Sequence, residues 1–293
     1  PAHALIFDID TGKTKIWQYW HLPDVVDSID INDGFKDEQI LLDELDSLLE
    51  DSVTRQLVAD VPVGILLSGG LDSSIITAMA SRSTNNFKTF TIRFPENRQY
   101  DETKHARLIA NYFQTEHIEL EATSSSVNLL PMLAKQFDEP IVDSSMIPTY
   151  LVCDLISQHC KVALGGDGGD ELFGGYKHYN RLVWLQQRLK YLPNSIKEII
   201  SGLAELVLPY GLKGRYWLQA FNTDFKNGLP LAASFFSKKE RQTMIKFELN
   251  GHHVVGCNAE DIRRQQISSN SCILQRATRM DFENYLAEDI LVK

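Results

Sequence analysis

The chain has 293 residues, with 29 Lys+Arg against 39 Asp+Glu and a formal net charge of −10. Its 43% hydrophobic and 23% charged residues are the composition of a soluble globular protein, long enough to bury a core without disulfides or metals. The acidic balance argues against a nucleic-acid partner, no uncharged apolar run approaches the roughly 18–20 residues of a membrane helix, and four cysteines without CxxC spacing make neither a zinc module nor a disulfide scaffold.

Nothing at the start reads as a signal peptide, so the cytoplasm and reduced thiols are the expected setting. Leu5–Ile9 and Lys15–Trp20 are short apolar stretches around Asp10-Thr11-Gly12-Lys13, good chemistry for a hairpin turn. Gly12-Lys13-Thr14 imitates the end of a Walker A loop, but that motif needs a glycine where the chain has Phe7, and no helix pattern follows. His21 to Gly34 is rich in Pro, Asp, Gly and Asn and reads as a linker.

From Lys36 the texture changes. Apolar residues at helical spacing predict a helix over about 37–58. VGILL (63–67) reads as a buried parallel strand, 71–82 as a helix and KTFTIRF (88–94) as a second strand. Helices over 102–113, 125–137 and 146–159 and strands over 116–120 and 161–166 complete an alternating pattern. Strands of 4–7 residues alternating with helices predict an α/β fold with a doubly wound parallel sheet. After Tyr176 the strand signals fade, and 181–192, 196–207 and 279–293 read as a helical C-terminal part.

Two segments carry chemistry. Ser68-Gly69-Gly70-Leu71-Asp72-Ser73-Ser74 lies between a predicted strand and a predicted helix. Its glycines let backbone N–H groups approach an anion, Ser68, Ser73 and Ser74 add hydroxyl donors, and the helix start points its positive dipole end at the same place. With no lysine in the loop, Asp72 is placed to hold a Mg²⁺ that neutralises the charge; the plainer reading makes Asp72 a helix N-cap. The second segment, Gly165-Gly166-Asp167-Gly168-Gly169-Asp170-Glu171-Leu172-Phe173-Gly174-Gly175-Tyr176, has six glycines in its first eleven positions and three acids. It also follows a short strand, which places it at the same carboxyl edge of the sheet, where open α/β folds bind ligands.

The first loop after VPVGILL resembles the pyrophosphate-binding loop of the N-type ATP pyrophosphatases. Together with GGDGGDELFGGY it resembles the synthetase domain of glutamine-hydrolysing asparagine synthetases over about residues 37–293. The resemblance implies an adenine nucleotide alpha hydrolase-like sheet that binds ATP and Mg²⁺. It implies that Ser68–Ser74 holds the β,γ-pyrophosphate, that Asp72 and Asp170 coordinate Mg²⁺, and that backbone groups at Leu67, Ile92, Gly165 and Gly166 contact the nucleotide. Asp167 falls where asparagine synthetases carry a glutamate linked to adenylate formation and lactam-forming relatives a tyrosine.

The implied reaction is ATP-dependent: aspartate is activated as β-aspartyl-AMP with release of pyrophosphate, and ammonia from glutamine then displaces AMP. Partners would be these small molecules, and a homodimer is compatible with the pattern. Residues 1–35 would be the tail of a glutaminase-like domain plus linker, and 36–293 a synthetase domain cut short at ILVK, before the lysine that the family places near the adenylate. Two further readings stay open: a lactam or natural-product amide synthetase with the same adenylation chemistry, and a non-catalytic ATP-binding remnant.

Among the remaining candidates, Asp138-Glu139-Pro140 and Asp143-Ser144-Ser145 precede a helix at the same edge and read equally as amino-acid pocket or solvated turn. His252-His253 reads as an exposed loop pair. Arg276, Arg279, Asp281 and Glu283 read as salt-bridged helix surface. Cys153 and Cys160, seven apart, read as core residues on one helix face.

Overall fold

The computed structural model describes residues 1–23, 38–84, 87–93, 95, 101–122, 126–137, 143, 145–209, 212, 214–222, 225, 247–249, 252–254 and 272–293. The chain divides into two compact units. One comprises Ser28–Gly169 with Ala287–Lys293, the other Pro1–Asp27 with Asp170–Leu286.

In chain order the elements begin with β1 (His3–Phe7), β2 (Thr14–Gln18), α1 (Glu38–Gln56), β3 (Val63–Leu66), α2 (Leu71–Ser83), β4 (Lys88–Arg93), α3 (Thr103–Phe113) and β5 (Glu116–Glu121). They continue with α4 (Leu130–Gln136), α5 (Met146–Ser157), β6 (Val162–Leu164), α6 (Gly169–Phe173), α7 (Lys177–Leu189), α8 (Asn194–Val207) and α9 (Arg215–Gln219). The last are β7 (Phe247–Leu249), β8 (His252–Val254) and α10 (Ile273–Met280).

The first unit is built on a four-stranded sheet of order β5-β4-β3-β6, every pair parallel. Alternate residues of β3 and its exit face opposite layers. Ile65 packs with Val53 of α1 and Met79 and Ala80 of α2, and Leu67 packs with Ala106 and Ala110 of α3. Leu66 turns the other way, into a cluster with Phe90 and Ile156 of α5. Helices therefore cover both faces, the doubly wound arrangement that the alternating pattern predicts. Gly64 is required here, because a Cβ would lie 2.5 Å from the Phe90 ring and 2.9 Å from Cys160 Sγ.

The strand order also fixes where a ligand can sit. From β3 the chain winds outward through β4 to β5, then returns to place β6 on the other side of β3. The direction in which strands are added to the sheet reverses at β3, with β4 on one side and β6 on the other, so a crevice opens beyond the carboxyl ends of β3 and β6.

Three expectations change in this unit. The helix expected over 125–137 is a 3-10 turn, Ser126–Leu129, followed by α4, with Pro131 in the first turn of α4. Proline has no N–H to give and is tolerated there, so the helix restarts around it. α5 ends at Ser157, so Cys160 lies beyond it; Cys160 is buried, but Cys153 is exposed rather than in the core. Asp138, Glu139, Pro140 and Ser144 lie outside the described residues, as does Cys257.

In the second unit β1 and β2 pair antiparallel, with Phe7 opposite Thr14. Gly12 closes the turn at φ +66° and donates its N–H to the Asp8 carbonyl at 2.8 Å, while Thr11 N–H reaches the Asp8 carboxylate at 2.9 Å. This is turn chemistry, not a phosphate loop. Tyr179 and Leu182 of α7 pack with Ile273, Ala277 and Met280 of α10 in one core cluster.

Arg276, expected on a helix surface, is 5% exposed and donates to the Phe225 carbonyl. Arg279 bridges Glu283 at 3.0 Å as expected, but its other nitrogens donate to the Leu22 and Pro23 carbonyls. Asp281 accepts the Tyr179 hydroxyl at 2.8 Å and lies 3.1 Å from His178 Nε2, partners about a hundred residues away. The expected helix over 279–293 runs instead as the end of α10, a π-helical stretch Asp281–Leu286 and a 3-10 turn Ile290–Val292. His252 and His253 belong to a strand rather than a loop, opposite Leu249 and Glu248.

Candidate functional site

The site grows from the exit of β3. Leu67 closes the strand with its N–H donated to the Phe90 carbonyl at 2.8 Å, and its own carbonyl accepts the Thr91 hydroxyl at 2.5 Å. β4 therefore holds the loop's first anchor by both its N–H and its carbonyl. Ile92, next along β4, is half-buried in the Phe90 cluster and pairs with Leu120.

Beyond Leu67 the backbone must turn sharply, and Gly69 makes the turn at φ +85°. Its position presses the loop onto α3: a Cβ there would stand 2.6 Å from His105 Cβ and 2.7 Å from Ala106 N. Only glycine fits, for both conformation and space.

The hydroxyls are organised by the loop itself. Ser68 Oγ and Ser73 Oγ lie 3.0 Å apart, and Gly70 N–H donates to Ser68 Oγ at 3.2 Å. Ser73 and Ser74 hydroxyls both return to the Gly70 carbonyl, at 3.2 and 2.7 Å. The N-cap of α2 is Gly70, with no side-chain capping bond, so the plainer reading of Asp72 as cap does not hold; Asp72 lies in the first turn. The start of a 13-residue helix thus faces the loop without a capping side chain, which leaves its dipole end available to an anion.

The second glycine segment comes to the same point from β6. A Cβ on Gly166 would lie 2.8 Å from Asp72 Cβ and 3.1 Å from Ser73 N. One on Gly169 would lie 2.7 Å from Asp72 Cγ, and Gly168 between them takes φ +94°. The two glycine segments, about a hundred residues apart in sequence, therefore meet backbone against Asp72 at the point where the strand order reverses. Asp167 is exposed and bends back over Gly165, whose Cβ would meet its Oδ2 at 2.9 Å.

Asp170, the next residue after this contact, opens the second unit, where its carbonyl accepts the Gly175 N–H at 3.0 Å. In the same unit Glu171 is 1% exposed and accepts the Tyr176 hydroxyl at 2.7 Å. Burial, then this bond to Glu171, pushes the Tyr176 phenol well above its ordinary pKa. Among the described residues no group of three or more His, Cys, Asp or Glu is gathered as a metal cage. A Mg²⁺ that takes most of its oxygens from phosphate and water asks only one or two carboxylates of a protein, and Asp72 offers one at this point of the loop.

Two features of this region escaped sequence reasoning. Thr91 gave only a strand signal, yet its hydroxyl fixes the base of the loop. Lys293 closes an ion pair with Asp143 across 150 residues, which no local pattern announces.

Comparison with known proteins adds an independent line. The family model described as asparagine synthase matches residues 44–293. Asparagine synthetase [glutamine-hydrolyzing] 1 of Bacillus subtilis is 29% identical over 260 residues, 88% of this chain and 40% of that protein. Asparagine synthetase [glutamine-hydrolyzing] 3 of the same organism is 33% identical, covering 71% of this chain and 37% of its own. Asparagine synthetase B [glutamine-hydrolyzing] of Escherichia coli is 33% identical over 51% of this chain and 30% of its own. The chain thus spans two fifths or less of the length of these relatives.

Proposed function

The chain belongs to the asparagine synthase family, and we propose that it carries the ATP-dependent, amide-forming half of such a ligase, turning aspartate into asparagine. The observation that carries this reading is the meeting of the Ser68–Ser74 loop and the Gly165–Gly169 segment at Asp72.

Ammonia cannot displace oxide from a carboxylate directly, because oxide is a poor leaving group. Attack of the substrate carboxylate on the α-phosphate of ATP makes an acyl-adenylate, here β-aspartyl-AMP, and expels pyrophosphate. The Ser68 and Ser73 hydroxyls and the first-turn N–H groups of α2 would hold that pyrophosphate, and fixed donors of this kind stabilise charge as it develops. Asp72, with Asp170, would hold Mg²⁺, which supplies charge neutralisation to the phosphates. Leu67 and Ile92 in the sheet, with Gly165 and Gly166 across the crevice, would position the nucleotide, so that orientation contributes much of the rate. Asp167, exposed beside Gly165, would face the reacting carboxyl and the incoming ammonia. In the longer relatives' organisation, glutamine would be the ammonia source.

The test uses the full-length protein with ATP, Mg²⁺ and ammonia, assayed for AMP and pyrophosphate across a panel of carboxylic amino acids. Aspartate-dependent AMP with matching asparagine is expected. AMP with another acid alone would move the protein to the lactam or natural-product amide synthetases. No AMP from protein that still binds ATP would leave a non-catalytic nucleotide-binding role. In calorimetry, Asp72→Asn should weaken Mg-ATP binding by about tenfold or more, the cost of one charged partner; unchanged affinity would remove Asp72 from the site.

A further inference from the structure

The segment Ala287–Lys293 belongs to the same unit as the parallel sheet. Its last side chain reaches a place of consequence. α5 follows α4 in the connection from β5 and leads directly into the start of the parallel β6, so, as the helix that returns the chain to the next parallel strand, it begins toward the carboxyl edge of the sheet. Asp143 and Ser145 stand immediately before that end, on the edge that also carries the two glycine segments.

Lys293 Nζ forms an ion pair with Asp143, donates to Ser145 Oγ at 2.7 Å and lies 3.8 Å from Asp289 Oδ1. Ser145 is turned onto the same acid, its N–H 2.9 Å from Asp143 Oδ1 and its hydroxyl 2.6 Å from Oδ2. The Lys293 side chain is 7% exposed and that of Asp143 15%. Burial pulls the Lys293 ammonium below its ordinary pKa and pushes the Asp289 carboxyl above its own.

Taking two opposite charges out of water brings little net stability, and a pair of apolar residues of similar size often does as well. The nucleotide-binding roles above make no use of this pair. A fixed ammonium beside a fixed carboxylate is, however, the mirror image of a zwitterion. It can receive the carboxylate and the ammonium of one amino-acid head group while burying no net charge.

We propose that Lys293 and Asp143 read the head group of an α-amino-acid substrate, Lys293 taking its α-carboxylate and Asp143 its α-ammonium, with Ser145 and Asp289 holding the pair. This deepens the ligase reading and rests on it. The distal carboxyl of the substrate is then left to meet the nucleotide, and acids that lack one charge of the zwitterionic head bind through the other alone, more weakly than aspartate.

The test measures binding of three radiolabelled acids to the full-length protein by equilibrium dialysis, with α,β-methylene-ATP and Mg²⁺ present. The acids are aspartate, succinate, which lacks the amino group, and 3-aminopropanoate, which lacks the α-carboxylate. Lys293→Met is expected to weaken aspartate and succinate by about tenfold or more, the loss of one charge-assisted bond, and to leave 3-aminopropanoate unchanged. Asp143→Asn is expected to weaken aspartate and 3-aminopropanoate and to leave succinate unchanged. Lys293→Arg keeps the charge and should retain aspartate binding, and unchanged nucleotide affinity in each variant shows that the fold survives. An equal loss for all three acids, or none, overturns the head-group assignment, as does failure of the wild type to bind aspartate. If the wild type releases AMP with aspartate while Lys293→Met keeps its acid preferences, the ligase reading stands and this assignment falls. If the preferences shift as stated but no AMP forms with any acid, the assignment stands and the ligase reading falls.

Discussion

Replacing Gly69 with alanine puts a methyl group where the nucleotide-loop candidate rests on α3. At φ +85°, an L-residue in this left-handed conformation costs about 1–2 kcal/mol. The added Cβ would lie 2.6 Å from His105 Cβ, 2.7 Å from Ala106 N and 2.8 Å from His105 C. Two of those atoms are helix backbone, so a rotamer change cannot relieve the clash and α3 or the loop must move. Overpacking of this kind costs about 1–3 kcal/mol, giving a total of about 2–5 kcal/mol. At about 2–4 °C per kcal/mol for a unit of this size, the midpoint of thermal unfolding should fall by roughly 4–20 °C. Gly12→Ala is the control. Gly12 is also left-handed, at φ +66°, but a Cβ there meets nothing within 4 Å, so only the conformational cost applies. Melting curves and Mg-ATP titrations of both variants would separate strain from crowding. If Gly69→Ala melts no lower than Gly12→Ala and binds nucleotide as the wild type does, the close packing of loop on α3 is wrong.

Gly202, inside α8, has nothing within 4 Å of a built Cβ, so Gly202→Ala should stabilise the chain by about 0.5–1 kcal/mol in urea titrations; a loss would mean that this helix face is covered. Tyr176→Phe removes the hydroxyl that donates to the buried Glu171. Denaturation should show a loss of about 1.5–3 kcal/mol, the range for a bond to a carboxylate, and a change under about 0.5 kcal/mol would mean that water replaces it. Burial holds His117 below its ordinary pKa, with Thr89 Oγ1 2.9 Å from its Nδ1. The folded protein therefore takes up this proton less readily than the unfolded chain, so stability should fall as pH drops through the ordinary histidine value of 6.5 and persist above it. His117→Gln should flatten the urea midpoint between about pH 7 and pH 5, near the ordinary histidine range; an unaltered slope would assign that acid sensitivity elsewhere.

Much of the first unit was legible in the sequence because its signals are local. VGILL, KTFTIRF and the run at 116–120 declare strands by composition and length, and each helix between them shows its period within a dozen residues. The glycines of Ser68–Ser74 and Gly165–Gly169 announce tight backbone, since only glycine takes φ +85° and φ +94° without strain. Local backbone preference and hydrophobic period are properties of a few neighbouring residues, so one sequence suffices to read them.

What the tertiary structure decided depends on partners far along the chain. The order β5-β4-β3-β6 reverses direction beside β3 and brings Gly166 and Gly169 onto Asp72. Arg276 looked like helix surface until α10 packed on α7 and Phe225, and Cys153 looked like core until α5 turned it to the exterior. Lys293 was an ordinary lysine until Asp143 and Ser145 closed around it. A side chain's polarity sets only what burial would cost. Whether it is buried, and which opposite charge or carbonyl offsets that cost, is settled when distant segments compete for the same space.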